Sequence, residues 1–99
     1  MTRNEFPISI TQRDETTWEL VQGWTLKYYG VNRAWQDSNL WAVTHLASGL
    51  AVSAKMPSVQ KAKKLAEVME RDYPWEDLEK LLGKVLEICT LVGMVKGEV

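Results

Sequence analysis

The chain has 99 residues, 45% hydrophobic and 25% charged, with a formal net charge of −1. That length supports one core burying roughly two-thirds of the unfolded surface, and near-neutrality excludes both a protein held to nucleic acid by overall positive charge and an acidic mimic of DNA. One Cys and one His exclude a disulfide scaffold and a Cys/His zinc centre made by one chain, so no metal and no cofactor is expected; the unusual count is five Trp against one Phe.

The start, Met1 to Pro7, has no apolar stretch of secretion-signal length. The greasiest run, residues 88–95, is far short of the roughly 20 residues that cross a bilayer. A cytoplasmic chain with a reduced Cys89 and no membrane partner is therefore expected. Phe6, Ile8 and Ile10 share one parity, which predicts a strand with one buried face, and Pro7 suits an edge. Residues 13–16 read as a turn. Trp18, Leu20, Trp24, Leu26 and Tyr28 then fall on one parity, which predicts a second strand with Trp18 and Trp24 in the core. Gly23 within it marks a bulge or bend.

Residues 30–39 are rich in Gly, Asn, Asp and Ser and predict a long loop interrupted by Trp35. Residues 40–46 and 50–56 predict two short strands joined by a tight turn whose Gly49 takes positive φ. The period then changes to that of a helix. Ser58 is the expected N-cap, and Val59, Ala62, Leu65, Ala66, Met69 and Tyr73 recur at three- and four-residue steps up to Pro74. A second helix is predicted after Pro74. Its apolar residues span about 160° at about 100° per residue, wider than one neighbour consumes. Leu86, Leu91 and Val95 are the candidate self-association residues on that surplus, with a homodimer expected.

The expected architecture is α+β in a single domain, residues 1–99. A three- or four-stranded antiparallel meander within residues 5–56 precedes two helices, about 58–73 and 75–92, packed on one face.

His45 is the sole imidazole available for acid–base chemistry, and its position in a strand suits a structural role. Cys89 lies in an apolar helical stripe, where a thiol acts as a small hydrophobe. No nucleophile triad, phosphate loop or metal-ligand spacing is present, so catalytic residues are not expected and the chain reads as non-enzymatic. Lys55, Lys61, Lys63 and Lys64 form a basic segment that opens the first helix, against the preference of the macrodipole. Lys55, Lys61 and Lys64 are candidate contacts for phosphate or an acidic partner. Tyr28, Tyr29, Arg33, Trp35 and Trp75, the last two without a periodic stripe to join, form the candidate partner-binding set, because Trp, Tyr and Arg dominate interface hot spots.

Residues 41–69, a hairpin followed by a Ser-led helix carrying Lys61 and Lys63-Lys64, resemble the C-terminal half of a double-stranded RNA-binding domain. The resemblance implies lysines that clamp phosphates, and nucleic acid as an alternative partner. That family's N-terminal helix has no counterpart here, so its minor-groove contacts do not carry over. The run Trp41-Ala-Val-Thr-His45-Leu-Ala-Ser-Gly49-Leu, with Ser58-x-x-Lys61-Ala62 after it, resembles small uncharacterised phage and prophage proteins. That resemblance implies an accessory protein of a phage or mobile element that binds and inhibits a host protein, for example a component of a defence system.

Overall fold

A computed structural model describes residues 1–97. Five strands, β1 (Thr2–Gln12), β2 (Glu15–Thr25), β3 (Tyr29–Arg33), β4 (Trp41–His45) and β5 (Ala51–Met56), form one antiparallel sheet in chain order. Three helices follow, α1 (Val59–Asp72), α2 (Leu78–Leu82) and α3 (Val85–Gly97). The fold is the expected α+β meander, with five strands instead of three or four and three helices instead of two. Among the described residues no helix is long and apolar enough to cross a membrane.

The additional strand is β3, within the segment whose composition predicts a loop. Its backbone pairs with β2 from Gly23↔Asn32 to Thr25↔Gly30 and with β4 along its full length. Tyr29 and Val31 point toward α1 and are fully buried with Val43, Met56, Ala62, Leu65, Ala66 and Met69. The helical members of that set recur at i, i+3, i+4 and i+7, which makes one stripe on α1 and explains why this helix lies on the sheet. Ser58 caps α1, its hydroxyl accepting from the Lys61 N–H at 3.2 Å, and the helix stops at Tyr73 before Pro74.

The second predicted helix is broken at Gly83, which has the weakest helix preference other than Pro. Asp77 caps α2 by accepting from the Glu79 N–H at 2.9 Å, and Gly83 closes it with its N–H on the Glu79 carbonyl. The bend lets α3 return along α1, so that Lys96 near its end lies beside Lys61 in the first turn of α1.

β1 and β2 are the longest strands, and only the last three residues of β2 pair with β3. Beyond that point the hairpin leaves the sheet and curls over its back. Phe6 and Ile8 turn inward and are buried, whereas Trp18 (57% exposed) and Leu20 (64%) face outward. This corrects the assignment of Trp18 to the core: the parity is right, but α1 does not extend far enough to cover that face. The turn is made by Arg13 and Asp14, both at positive φ, as a two-residue hairpin requires. Gly49 (φ 72°) accepts from the Ser9 N–H at 2.9 Å, so the first strand touches the turn that joins the last two.

A Cβ on Gly23 would sit 1.9 Å from the Val31 carbonyl oxygen, a backbone atom that cannot yield. Gly23→Ala is expected to destabilise the fold by about 1–3 kcal/mol. Gly83→Ala, whose Cβ would meet nothing nearer than 3.4 Å, is expected to leave stability unchanged or raise it. Urea unfolding midpoints of the two variants against the parent check both outcomes.

Candidate functional site

Cross-strand register brings the site together. Arg3 lies opposite Trp24 on β1–β2, and Arg33 opposite Trp41 on β3–β4. The two indoles meet at 5.9 Å between centroids, tilted by 46°. The Arg3 guanidinium lies 4.8 Å from the Trp24 ring, the Lys63 ammonium of α1 4.2 Å from the same ring, and the Arg33 guanidinium 4.5 Å from Trp41. Each such contact is worth about 0.5–1 kcal/mol at an exposed site. The rings thus hold three like charges in one place. Arg33 is further oriented by donating to the Ser38 carbonyl at 2.6 Å. A shallow depression of about 340 Å³ lies over Arg3, Trp24, Arg33, Trp35 and Trp41, with no carboxylate in its lining and Trp35 51% exposed. Glu5, which accepts from Gln22 at 2.9 Å, is the neighbouring acid. A chain of net charge −1 therefore carries a local aromatic, positively charged face.

Of the candidate partner-binding set, Arg33 and Trp35 lie on that face. Tyr29, Tyr28 and Trp75 are corrections. Tyr29 is fully buried, its hydroxyl donating to the Tyr73 carbonyl at 2.6 Å, because β3 is a strand and not a loop. Tyr28 is half-buried: the Glu70 carboxylate of α1 accepts the Lys27 N–H at 2.6 Å and the Tyr28 N–H at 3.0 Å, tying the β2–β3 turn to the helix. Trp75 packs against the core, edge-on to Tyr73 at 5.7 Å, and its carbonyl is bonded to His45. Trp24, by contrast, is only partly buried, and with Arg3, Trp41 and Lys63 it completes the face. Nothing local in the sequence marked Arg3 as a neighbour of Trp24 and Trp41.

The basic segment divides. Lys61 is half-buried and donates to the Lys96 carbonyl at the end of α3, where a cation meets the negative end of the dipole. Lys63 goes to Trp24, Lys64 is exposed, and Lys55 lines a cleft on the back of the sheet, so the lysines are not one phosphate clamp. The self-association set divides too. Val95 is buried and Leu91 half-buried against the core, because α3 packs that edge on α1, whereas Leu86 is 81% exposed. Cys89 is exposed and lines an apolar groove of about 270 Å³ with Leu78, Leu82 and Val85, instead of packing inside a stripe.

His45 is buried, with Nε2 2.8 Å from the Trp75 carbonyl and Nδ1 2.7 Å from the Ser48 hydroxyl. A carbonyl only accepts, so Nε2 carries the proton and, in the neutral ring, Nδ1 accepts from Ser48. Both nitrogens are occupied within the fold. Among the described residues, no group of three His, Cys, Asp or Glu side chains is placed to hold a metal ion. Comparison with family models, with curated proteins and with solved structures finds no match.

Burial, reinforced by the Glu70 carboxylate, holds the Tyr29 phenol well above the ordinary tyrosine range. The folded state therefore retains a proton that the unfolded chain gives up. The resulting stability is complete below about pH 10 and is lost as pH rises beyond it. Of the three tyrosines, one is expected to ionise in an ultraviolet titration only as the protein unfolds. Tyr29→Phe should lose about 1 kcal/mol at neutral pH and flatten the alkaline decline.

Proposed function

We propose that this chain is a non-enzymatic binding protein whose partner is another protein, engaged on the Arg3, Trp24, Trp41, Arg33 and Trp35 face. The observation that carries this reading is three cations stacked on two adjacent indoles beside an exposed third one. Trp and Arg are the residues that most often dominate interface energetics, and fixed like charges favour a partner segment that is acidic as well as apolar. Binding through bases is less favoured, because the Trp24 and Trp41 rings already carry cations and are not free platforms for stacking. The engagement of both His45 nitrogens inside the fold supports the non-enzymatic part of the reading. An accessory protein of a phage or mobile element acting on a host protein is the setting that the sequence resemblance suggests.

Affinity capture from a candidate host, with and without nuclease, tests this. A nuclease-resistant protein held by the parent and lost by an Arg33→Glu, Trp35→Ala double variant of unchanged melting temperature is expected. Equal capture by the variant, or loss of the captured species on nuclease treatment, would overturn the protein-partner reading.

A second copy of the chain is the proposed partner of the α2–α3 face, because Leu82, Val85, Leu86 and Met94 all remain at least 49% exposed there. Sedimentation at tens of micromolar is expected to give a dimer that Leu86→Lys converts to monomer. A monomeric parent chain would remove this proposal.

A further inference from the structure

The back of the sheet, opposite the Trp24–Trp41 face, carries a second concavity. Where the β1–β2 hairpin curls over β3, β4 and β5 it encloses a cleft of about 320 Å³, at the lower end of the size range of small-ligand pockets. Sheet faces usually carry β-branched residues. Here Ala34, Ala42, Ala51 and Ala54 line the space together with Gly49, and the missing side-chain volume is what leaves it open. Ile8 and Ile10 of the hairpin form the opposite apolar wall, and the exposed Trp35 lies at the mouth.

Two buried polar side chains, Asn32 and Thr44, line this space, and the exposed Gln36, Asp37 and Lys55 line it as well. The Thr44 hydroxyl donates to Asn32 Oδ1 at 2.9 Å, and Asn32 Nδ2 donates to the Arg33 carbonyl at 2.8 Å. A carboxamide nitrogen has two N–H groups, and a hydroxyl that donates still has lone pairs. One Asn32 N–H and a Thr44 oxygen lone pair are therefore left over, on two side chains joined by their own hydrogen bond. A planar ring with a carbonyl next to an N–H, the lactam edge, presents the complementary pair. Its faces would meet the isoleucine and alanine walls.

We infer that the back-face cleft binds a small planar heterocycle through a lactam edge paired with Asn32 and Thr44. Recognition by a buried polar pair discriminates strongly, since a ligand lacking one member leaves a protein group without its partner. The cleft lies on the opposite side of the sheet from the proposed protein-binding face and shares Trp35 with it at the mouth, but the inference does not rest on that reading.

Uridine, which has a lactam edge, and 3-methyluridine, in which the N–H of that edge is blocked, are the probes. The readout is the shift of amide and indole resonances in ¹H–¹⁵N spectra of the full chain. Uridine at millimolar concentration is expected to move the Asn32 side-chain amide and the Trp35 indole saturably, and 3-methyluridine to bind about tenfold more weakly or worse, a difference of about 1.4 kcal/mol. Ala54→Phe, at an exposed position on β5, is expected to abolish the shifts while leaving spectral dispersion and melting temperature intact. A short oligouridine that shifts the same resonances more strongly than the nucleoside would assign the heterocycle to a base within a strand. Absence of shifts with every probe, equal binding of the methylated analogue, or shifts that survive Ala54→Phe would each overturn the inference.

Discussion

Burial of β3 on both of its faces is the constraint that orders the rest of the molecule. Toward α1 it presents Tyr29 and Val31, which sit at the centre of the apolar core. Toward the curled hairpin it presents Gly30 and Asn32. A Cβ on Gly30 would lie 2.8 Å from the Phe6 ring, so the absent side chain is what admits Phe6. Asn32 in turn needs Thr44, since a carboxamide buried there without a partner would cost about 1–3 kcal/mol. A strand that must be small and polar on one side and large and apolar on the other has a composition resembling that of a loop.

Tertiary neighbours likewise explain the charges on α1. A basic start and an acidic end oppose the dipole of α1 when that helix is considered alone. In the fold, Lys61 donates to the Lys96 carbonyl near the end of α3, Lys63 lies over Trp24, and Glu70 accepts the two N–H groups of the β2–β3 turn. Each charge answers a neighbour far away in sequence. The small cost at the helix ends is offset by these contacts, two of which give partners to exposed or half-buried backbone groups of the β2–β3 turn and of α3.

The five tryptophans fall into distinct roles by the same logic. Trp75 closes the base of the core, Trp24 and Trp41 form an indole pair flanked by cations, and Trp18 packs its ring beside Gly49 while staying largely exposed. Trp35 sits at the end of the sheet, where it lines both the cationic depression and the cleft on the back. That position follows from the loop between β3 and β4, which is long enough to leave the sheet plane.

Local chemistry was enough to determine the α+β order, the hairpin turn at Gly49, the strand parity of Phe6 and Ile8, and the Ser58-capped helix with its single apolar stripe. Periodicity, caps and turn residues act within a few positions, so they are written in the chain itself. Local chemistry did not determine residues 30–39, which read as a loop: Arg33 ends β3, and of Arg33 and Trp35 only Trp35 lies outside the strands. Only the tertiary structure decided that β3 is a strand, that the last helix breaks and returns along α1, and that Arg3, Trp24, Trp41, Arg33 and Lys63 share one face. Those outcomes depend on which distant segment supplies a backbone partner, a ring or a covering surface. Parity says that residues lie on a common side, but which side is covered depends on where α1 ends and the hairpin begins to curl.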